Sequence, residues 1–146
     1  MNAKRKIDLL IIHCTDSQHK HHDNIETVRK WHTERGFTGP DGILGTEDDI
    51  GYHFLITSDG NIHKGRSESR IGAHASGFNS NSIGICLTGK TKFTEQQFKS
   101  LESLCKKLCT KYNLSKMDIV GHRDISKLKT CPNFNVQELA SKWGWH

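Results

Sequence analysis

Apolar residues along this chain occur in two patterns, continuous runs and helically spaced positions. Continuous runs are typical of strands that are buried on both faces of a sheet. The segments KIDLLIIH (6–13) and SIGICLTG (82–89) have this pattern, and the shorter MDIVGH (117–122) predicts a third strand. We therefore expect His13 and His122 to stand at the ends of two strands.

A hairpin is predicted for HFLITSDGNIHKG (53–65), where two strand-like runs flank Asp59-Gly60. This dipeptide is a strong signal for a two-residue hairpin turn, because glycine adopts positive φ without steric cost. A hairpin in a chain that also alternates strands with helices indicates a mixed sheet.

The first helix is predicted within DNIETVRKWHTERG (23–36). Asp23 is expected to cap it, Glu26 completes a capping box, and Gly36 ends it. Its apolar face is expected to contain Ile25, Val28 and Trp31.

The clearest helical pattern is TEQQFKSLESLCKKLCTKY (94–112), which begins with the capping pair Thr94 and Gln97. Its apolar stripe consists of Phe98, Leu101, Leu104, Cys105 and Leu108. NVQELASKW (135–143) predicts a closing helix.

These elements together predict an α/β fold, a single domain over residues 1–146 with a mixed central β-sheet flanked by about three helices. The segment 38–50, which includes GPDGILGTEDD, resembles a calcium loop only loosely, because the regular acidic spacing is missing. We expect a solvated surface loop there.

Composition narrows the class of protein. Hydrophobic residues make up 34% and charged residues 25%, as in globular domains. No apolar run approaches the roughly 20 residues needed to cross a bilayer, and the start lacks the features of a signal peptide. We expect a monomer made in the cytoplasm without a signal peptide or membrane anchor.

The net charge of +5 favours an anionic partner, although basic residues are not interleaved with aromatic ones as in nucleic-acid-binding proteins. No nucleic-acid partner is expected. Five cysteines, an odd number, favour free thiols or metal ligation over a disulfide framework.

Three residues fit an open zinc site. His13 and His122 end strands, and Cys131 follows nine positions after His122, across a loop long enough to fold back. Two imidazoles and a thiolate suit zinc and leave a fourth position for water. The alternative is a core histidine, a surface histidine and an inert thiol. Strand alternation directs Cys14 away from His13, and it likewise separates Tyr52 from His53.

The remaining histidines are weaker candidates. His19, His21 and His22 lie in a polar stretch and are expected in a solvated loop. His32 on the first helix and the terminal His146 are not expected in the site.

Four ordered blocks of the sequence resemble the type 2 N-acetylmuramoyl-L-alanine amidases, which include small phage lysozymes and share their domain with the peptidoglycan recognition proteins. The blocks span about residues 11–134: IIHCTDS, IGYHFLITSDGNIHKGR, IGAHASGFNSNSIGICLTG and GHRDISKLKTCPNF. The resemblance implies a zinc enzyme that cuts the amide between the lactyl group of N-acetylmuramic acid and L-alanine.

The resemblance also assigns residues. It places one zinc ion, with water as the fourth ligand, on His13, His122 and Cys131. The catalytic tyrosine falls on Tyr52 and the catalytic lysine on Lys129. Because the segment between His122 and Cys131 is one residue longer than in close phage relatives, Lys127 is a rival to Lys129.

Three further residues are candidates by position. His74 resembles a family position near the cleft, with a role in substrate orientation or oxyanion stabilisation, or a structural one. Arg66 and Asn79 are candidates for binding the stem peptide. Arg123 and Asp124 are expected to fix the loop after His122.

The function expected from the resemblance is cell-wall degradation by a phage or prophage endolysin, with peptidoglycan or a muropeptide as substrate. The alternatives are a non-catalytic peptidoglycan-binding module, a structural zinc protein with a fourth protein ligand, and a cytosolic amidase that recycles muropeptides.

Overall fold

The computed structural model describes residues 5–34 and 50–145 of the chain. The predicted loop at 38–50 lies outside these residues except for Ile50, and Gly36 and His146 also lie outside them. No helix in the described part has the length and apolar content needed to cross a bilayer.

A mixed five-stranded sheet forms the centre of the protein, in the order β3-β2-β4-β1-β5. β1 is parallel to β4 and β5, β2 is parallel to β4, and only β3 is antiparallel to its neighbour. The strands are β1 (Leu9–Cys14), β2 (Phe54–Ile56), β3 (Ile62–Lys64), β4 (Ser82–Leu87) and β5 (Ile119–Gly121). The continuous apolar runs therefore form the inner strands, as predicted.

Helices cover both faces of this sheet. They are α1 (Ile25–Glu34), α2 (Glu95–Tyr112), the single-turn α3 (His122–Ile125) and α4 (Val136–Ser141). The larger core lies between the sheet and helices α2 and α4. A smaller core on the opposite face joins α1 to β2 and β4 through Ile25, Val28, Leu55 and Cys86.

Strand alternation divides β1 between these two cores. Leu10 and Ile12 belong to the larger core, so His13 faces the side of the sheet that α1 covers. On β4 the same alternation places Ser82, Gly84 and Cys86 on the α1 side.

The predicted cap of α1 is wrong by one residue. Asn24 caps the helix, since its Oδ1 accepts the backbone N–H of Thr27 at 2.7 Å. Asp23 instead accepts hydrogen bonds from the backbone N–H and hydroxyl of Ser58 and from the hydroxyl of Thr88. These tertiary contacts remove Asp23 from the helix end. Trp31 is only partly buried on the apolar face.

The hairpin also differs in detail from its prediction. The backbone N–H groups of Thr57 and Gly60 donate to the carbonyls of Asn61 and Thr57, so three residues form the loop. Gly60 has φ of 86°, which matches a type I turn followed by a bulge.

The predicted cap of α2 is confirmed. Thr94 Oγ1 accepts the backbone N–H of Gln97, and Gln97 Oε1 accepts that of Thr94. The fully buried Gln97 amide also donates to the carbonyls of Ile56 at 3.1 Å and Thr88 at 2.8 Å. One side chain therefore joins the start of α2 to strand β2 and to the residue that follows β4.

We predict that Gln97→Ala lowers the free energy of unfolding by roughly 2–3 kcal/mol, because it removes a helix cap and the buried amide that donates to the Ile56 and Thr88 carbonyls. Urea denaturation measures the effect. The neighbouring Gln96→Ala is the control, since Gln96 is exposed and should change stability by less than about 0.5 kcal/mol. Equal unfolding midpoints for the two variants would contradict the role of Gln97.

Candidate active site

The sheet places two histidines side by side. In the pairing of β1 with β5, Ile12 is opposite Gly121, so the next residues, His13 and His122, leave the same edge together. Functional side chains concentrate at this carboxyl edge in parallel sheets because the strands end together there. The ring centroids of the two histidines are 4.5 Å apart.

The loop after α3 returns Cys131 to this pair. The backbone N–H of Arg123 donates to the Cys131 carbonyl at 2.9 Å, and that of Lys129 donates to Ser126 at 3.1 Å. Asp124 accepts the backbone N–H of Gly121 at 2.7 Å, which fixes the first turn of α3. The loop is thus held by backbone hydrogen bonds across its base.

The ligand atoms of His13, His122 and Cys131 all lie within 4.8 Å of one another. Cys131 Sγ is 3.5 Å from Nδ1 of His122 and 3.9 Å from Nδ1 of His13. Tetrahedral zinc with bonds of about 2.05 Å to nitrogen and 2.3 Å to sulfur separates these donors by roughly 3.6 Å. Both the donor types and their spacing therefore fit zinc, and no other group of this kind occurs among the residues described.

The protonation states of the cluster suit a cation. Burial lowers the pKa of His13, and the neighbouring His122 and Lys129 lower it further. Hydrogen bonds from Cys14 and His122 lower the pKa of Cys131. A neutral imidazole and a thiolate are the forms that ligate metals.

Cys14 lies next to this cluster without joining it. Strand alternation predicts that it does not share an ion with His13, and it is outside the ligand group. Its thiol nevertheless contacts Cys131, and this hydrogen bond together with burial raises the pKa of Cys14.

The three residues stand in a cleft of about 760 Å³. Most of the residues proposed from the sequence line it: His13, Tyr52, His74, Asn79, His122, Lys129 and Cys131. The predicted separation of Tyr52 from His53 is also observed, because His53 lines a different cavity.

Tyr52 lies between two histidine rings, with centroids 5.0 Å from His13 and 5.1 Å from His32. Burial, with the nearby thiols of Cys86 and Cys131, raises the pKa of Tyr52 well above its usual value. Its hydroxyl therefore keeps its proton at neutral pH.

His32 is a cleft residue that was not expected in the site. It is 4% exposed, it lines the cleft, and its Nδ1 accepts the backbone N–H of Gly51 at 2.7 Å. The signal in the sequence is its spacing, since His32 follows Ile25 and Val28 on the buried face of α1.

The two candidate lysines occupy different places. Lys129 lines the cleft, and its charge contributes to the lowered pKa of His13. Lys127 is exposed and is not among the described residues that line the cleft. Leu128, between them, is 94% exposed at the cleft rim.

His74 and Asn79 lie at the back of the cleft. His74 is buried, and its Nδ1 is 2.9 Å from Nε2 of His13. Burial lowers the pKa of His74 far below its ordinary value, and the neighbouring rings of His13, His53 and His122 add to this effect. Asn79 Oδ1 accepts the backbone N–H groups of His74 and Ala75, both at 2.8 Å.

Arg66 is not brought together with these residues. Its guanidinium donates to the Ile71 carbonyl at 2.9 Å, and it lines a second cavity of about 390 Å³ with His53 and Lys64. A substrate contact by Arg66 or Asn79 stays a prediction.

A family model described as N-acetylmuramoyl-L-alanine amidase matches residues 3–134 of this chain. The chain belongs to the N-acetylmuramoyl-L-alanine amidase family. This confirms the resemblance found in the ordered sequence blocks.

Individual proteins are similar to this chain over most of their length. The endolysin of Enterobacteria phage T3 is 34% identical over 92% of this chain and 86% of its own. The endolysin of Escherichia phage T7 is 32% identical over 95% of this chain and 89% of its own length. The solved N-acetylmuramoyl-L-alanine amidase LysC from Clostridium intestinale URNW has a TM-score of 0.76 and 31% identity, over 94% of this chain and 85% of its own.

The packing around His74 generates a test of this site. A Cβ atom added at Gly84 would lie 2.7 Å from Cγ of His74, and β4 is held by strands on both sides. We predict that Gly84→Ala displaces the imidazole ring and lowers the free energy of unfolding by about 1–3 kcal/mol. Chemical denaturation measures the loss of stability.

Gly144→Ala is the matched control, because nothing lies within 4 Å of its added Cβ. The tight packing would be contradicted if Gly84→Ala were as stable as Gly144→Ala and the NMR signals of the His74 imidazole did not shift.

Proposed function

We propose that this protein is a zinc-dependent N-acetylmuramoyl-L-alanine amidase that acts on peptidoglycan as a phage or prophage endolysin. Its reaction is hydrolysis of the amide between the lactyl group of N-acetylmuramic acid and L-alanine. The observation that carries this proposal is the convergence of two imidazoles and one thiol within 4.8 Å in a cleft that Lys129 and Tyr52 also line. The family of the chain and the endolysins similar to it support the same reaction.

His13, His122 and Cys131 would hold one zinc ion and leave its fourth position open to the cleft. When bound there, zinc supplies Lewis-acid activation of the amide carbonyl and of the attacking water. The thiolate of Cys131 offsets part of the positive charge of the ion. A second cation in the cleft is therefore useful for the negative charge that develops on the carbonyl oxygen.

Lys129 provides that cation in the proposed mechanism. Its side chain is exposed at the cleft, so the ammonium reaches a bound substrate without being buried beforehand. A single donor to the developing oxyanion contributes about 2.7–4 kcal/mol in other hydrolases.

Tyr52 acts as a hydrogen-bond partner of the attacking water. A phenol is neutral at neutral pH, so its hydroxyl orients the water through a hydrogen bond. The Tyr52 ring lies beside that of His13, a proposed zinc ligand, with centroids 5.0 Å apart.

We predict that Cys131→Ala loses both bound zinc and amidase activity, because two imidazoles alone hold the ion weakly. Elemental analysis after dialysis measures zinc, and labelling of newly freed alanine amino groups on purified sacculi measures cleavage. The control is Cys109→Ala, which removes a buried thiol on α2 outside the cleft. Full zinc and full activity in Cys131→Ala would refute the proposed centre.

The bond that is cut identifies the reaction class. An amidase frees amino groups of alanine, whereas a glycosidase frees reducing sugar ends. Release of reducing ends without alanine amino groups would contradict the proposal. Cleavage rates on sacculi and on a small soluble muropeptide distinguish wall degradation from muropeptide recycling. Zinc binding without cleavage of either substrate would indicate a binding module.

Replacing the two lysines separately tests the oxyanion role. We predict that Lys129→Ala keeps its zinc and lowers kcat by about 100–1,000-fold, the loss expected for one oxyanion donor. Lys127→Ala is the matched control, with the same charge change two residues away and near-normal activity expected. Equal losses in both variants, or a loss only at Lys127, would remove Lys129 from the mechanism.

A further inference from the structure

A line of three hydrogen bonds runs from the proposed zinc ligand His13 into the protein interior. Nε2 of His13 lies 2.9 Å from Nδ1 of His74. Nε2 of His74 lies 3.2 Å from the hydroxyl of Ser82, and this hydroxyl donates to the Phe78 carbonyl at 2.7 Å. His13, His74 and Ser82 are all buried.

The carbonyl at the end of this line fixes the direction of every hydrogen bond in it. A carbonyl only accepts, so the single hydroxyl proton of Ser82 is committed to Phe78. The Ser82 oxygen is then an acceptor for the N–H at Nε2 of His74. A neutral imidazole has one donor and one acceptor nitrogen, so Nδ1 of His74 accepts from Nε2 of His13.

The same logic settles which nitrogen of His13 is free. With its proton on Nε2, neutral His13 has an unshared pair on Nδ1. That Nδ1 atom is the one 3.9 Å from Cys131 Sγ, on the side of the ligand cluster. The ligand is therefore oriented and in the required tautomer before any ion arrives.

The surrounding backbone holds the His74 ring in this position. Added Cβ atoms at Gly72 and Gly84 would lie 2.5 Å and 2.7 Å from Cδ2 of His74, so the ring occupies space left by two glycines. Asn79 fixes the backbone of His74 through its N–H. The ring is therefore packed closely against the backbone of two neighbouring segments.

We propose that His74 is a positioning residue that holds His13 in the Nε2–H tautomer, with Ser82 and the Phe78 carbonyl setting the direction of the hydrogen bonds. This role rests on the proposed zinc site and replaces the direct substrate or oxyanion contact considered for His74 from the sequence. Partners that bond the second nitrogen of a metal-ligating histidine orient the ring and raise its basicity.

The first test needs no metal. Long-range ¹H–¹⁵N correlation spectra of the metal-free full chain report which nitrogen of each histidine carries the proton. We expect His13 and His74 both as Nε2–H tautomers. A proton on Nδ1 of His13 in the metal-free wild-type protein would overturn the proposal, whatever the activity of the enzyme.

The second test measures zinc affinity by competition with a chelator. His74→Leu fills a similar space without an acceptor and should weaken zinc binding by about 10–100-fold. His74→Asn places its side-chain oxygen near the position of Nδ1 and should recover most of the lost affinity. His63→Leu, on β3 outside the cleft, is the control and should bind zinc as the wild type does.

Ser82→Ala extends the test in case His74→Leu fails to fold, which circular dichroism shows. Removal of the hydroxyl takes away the acceptor of His74 Nε2–H, so the His74 tautomer should become mixed and zinc affinity should fall. Wild-type affinity in folded His74→Leu, or in Ser82→Ala where His74→Leu does not fold, would overturn the positioning role. If the wild-type protein itself binds no zinc, the proposed function fails, while the tautomer spectra still decide the hydrogen-bond direction.

Discussion

The parallel pairing of β1 with β5 is the constraint on which the rest of the site depends. It places Ile12 opposite Gly121, and the two residues that follow are His13 and His122. A shift of one residue in this register would send one histidine to the opposite face of the sheet, because side chains alternate along a strand. The largely buried strands between two helical layers hold this register, so core packing determines the geometry of the candidate centre.

Charge around the cluster follows from where each group lies in the fold. Burial disfavours a charge on His13 and on His74, whereas the hydrogen bonds that Cys131 receives favour its thiolate. The positive side chain of Lys129 stays at the exposed rim, where water solvates it until a substrate enters. The interior thus supplies neutral imidazoles beside one thiolate, and the surface supplies the positive charge of Lys129.

Local signals in the sequence were sufficient where one segment determines the outcome. The apolar runs of β1 and β4 and the Thr94–Gln97 cap of α2 form as predicted, because each depends on neighbouring residues. The sequence does not distinguish Asp23 from Asn24 as the cap of α1, because adjacent Asp and Asn residues have equal capping ability. The outcome depends on Ser58, 35 positions away, which donates to Asp23 and leaves Asn24 to cap the helix. The spacing of His32 after Ile25 and Val28 is a signal in the sequence, whereas the contact of His74 with His13 is visible only in three dimensions, since 61 residues separate this pair.

The central claim is that three protein side chains hold one zinc ion with a fourth position open in the cleft. Zinc K-edge X-ray absorption of the purified protein measures this coordination directly. The account predicts two nitrogen ligands at about 2.0–2.1 Å, one sulfur at about 2.3 Å and one light atom from solvent. A spectrum with no sulfur, or with four protein ligands including a second sulfur, would contradict it.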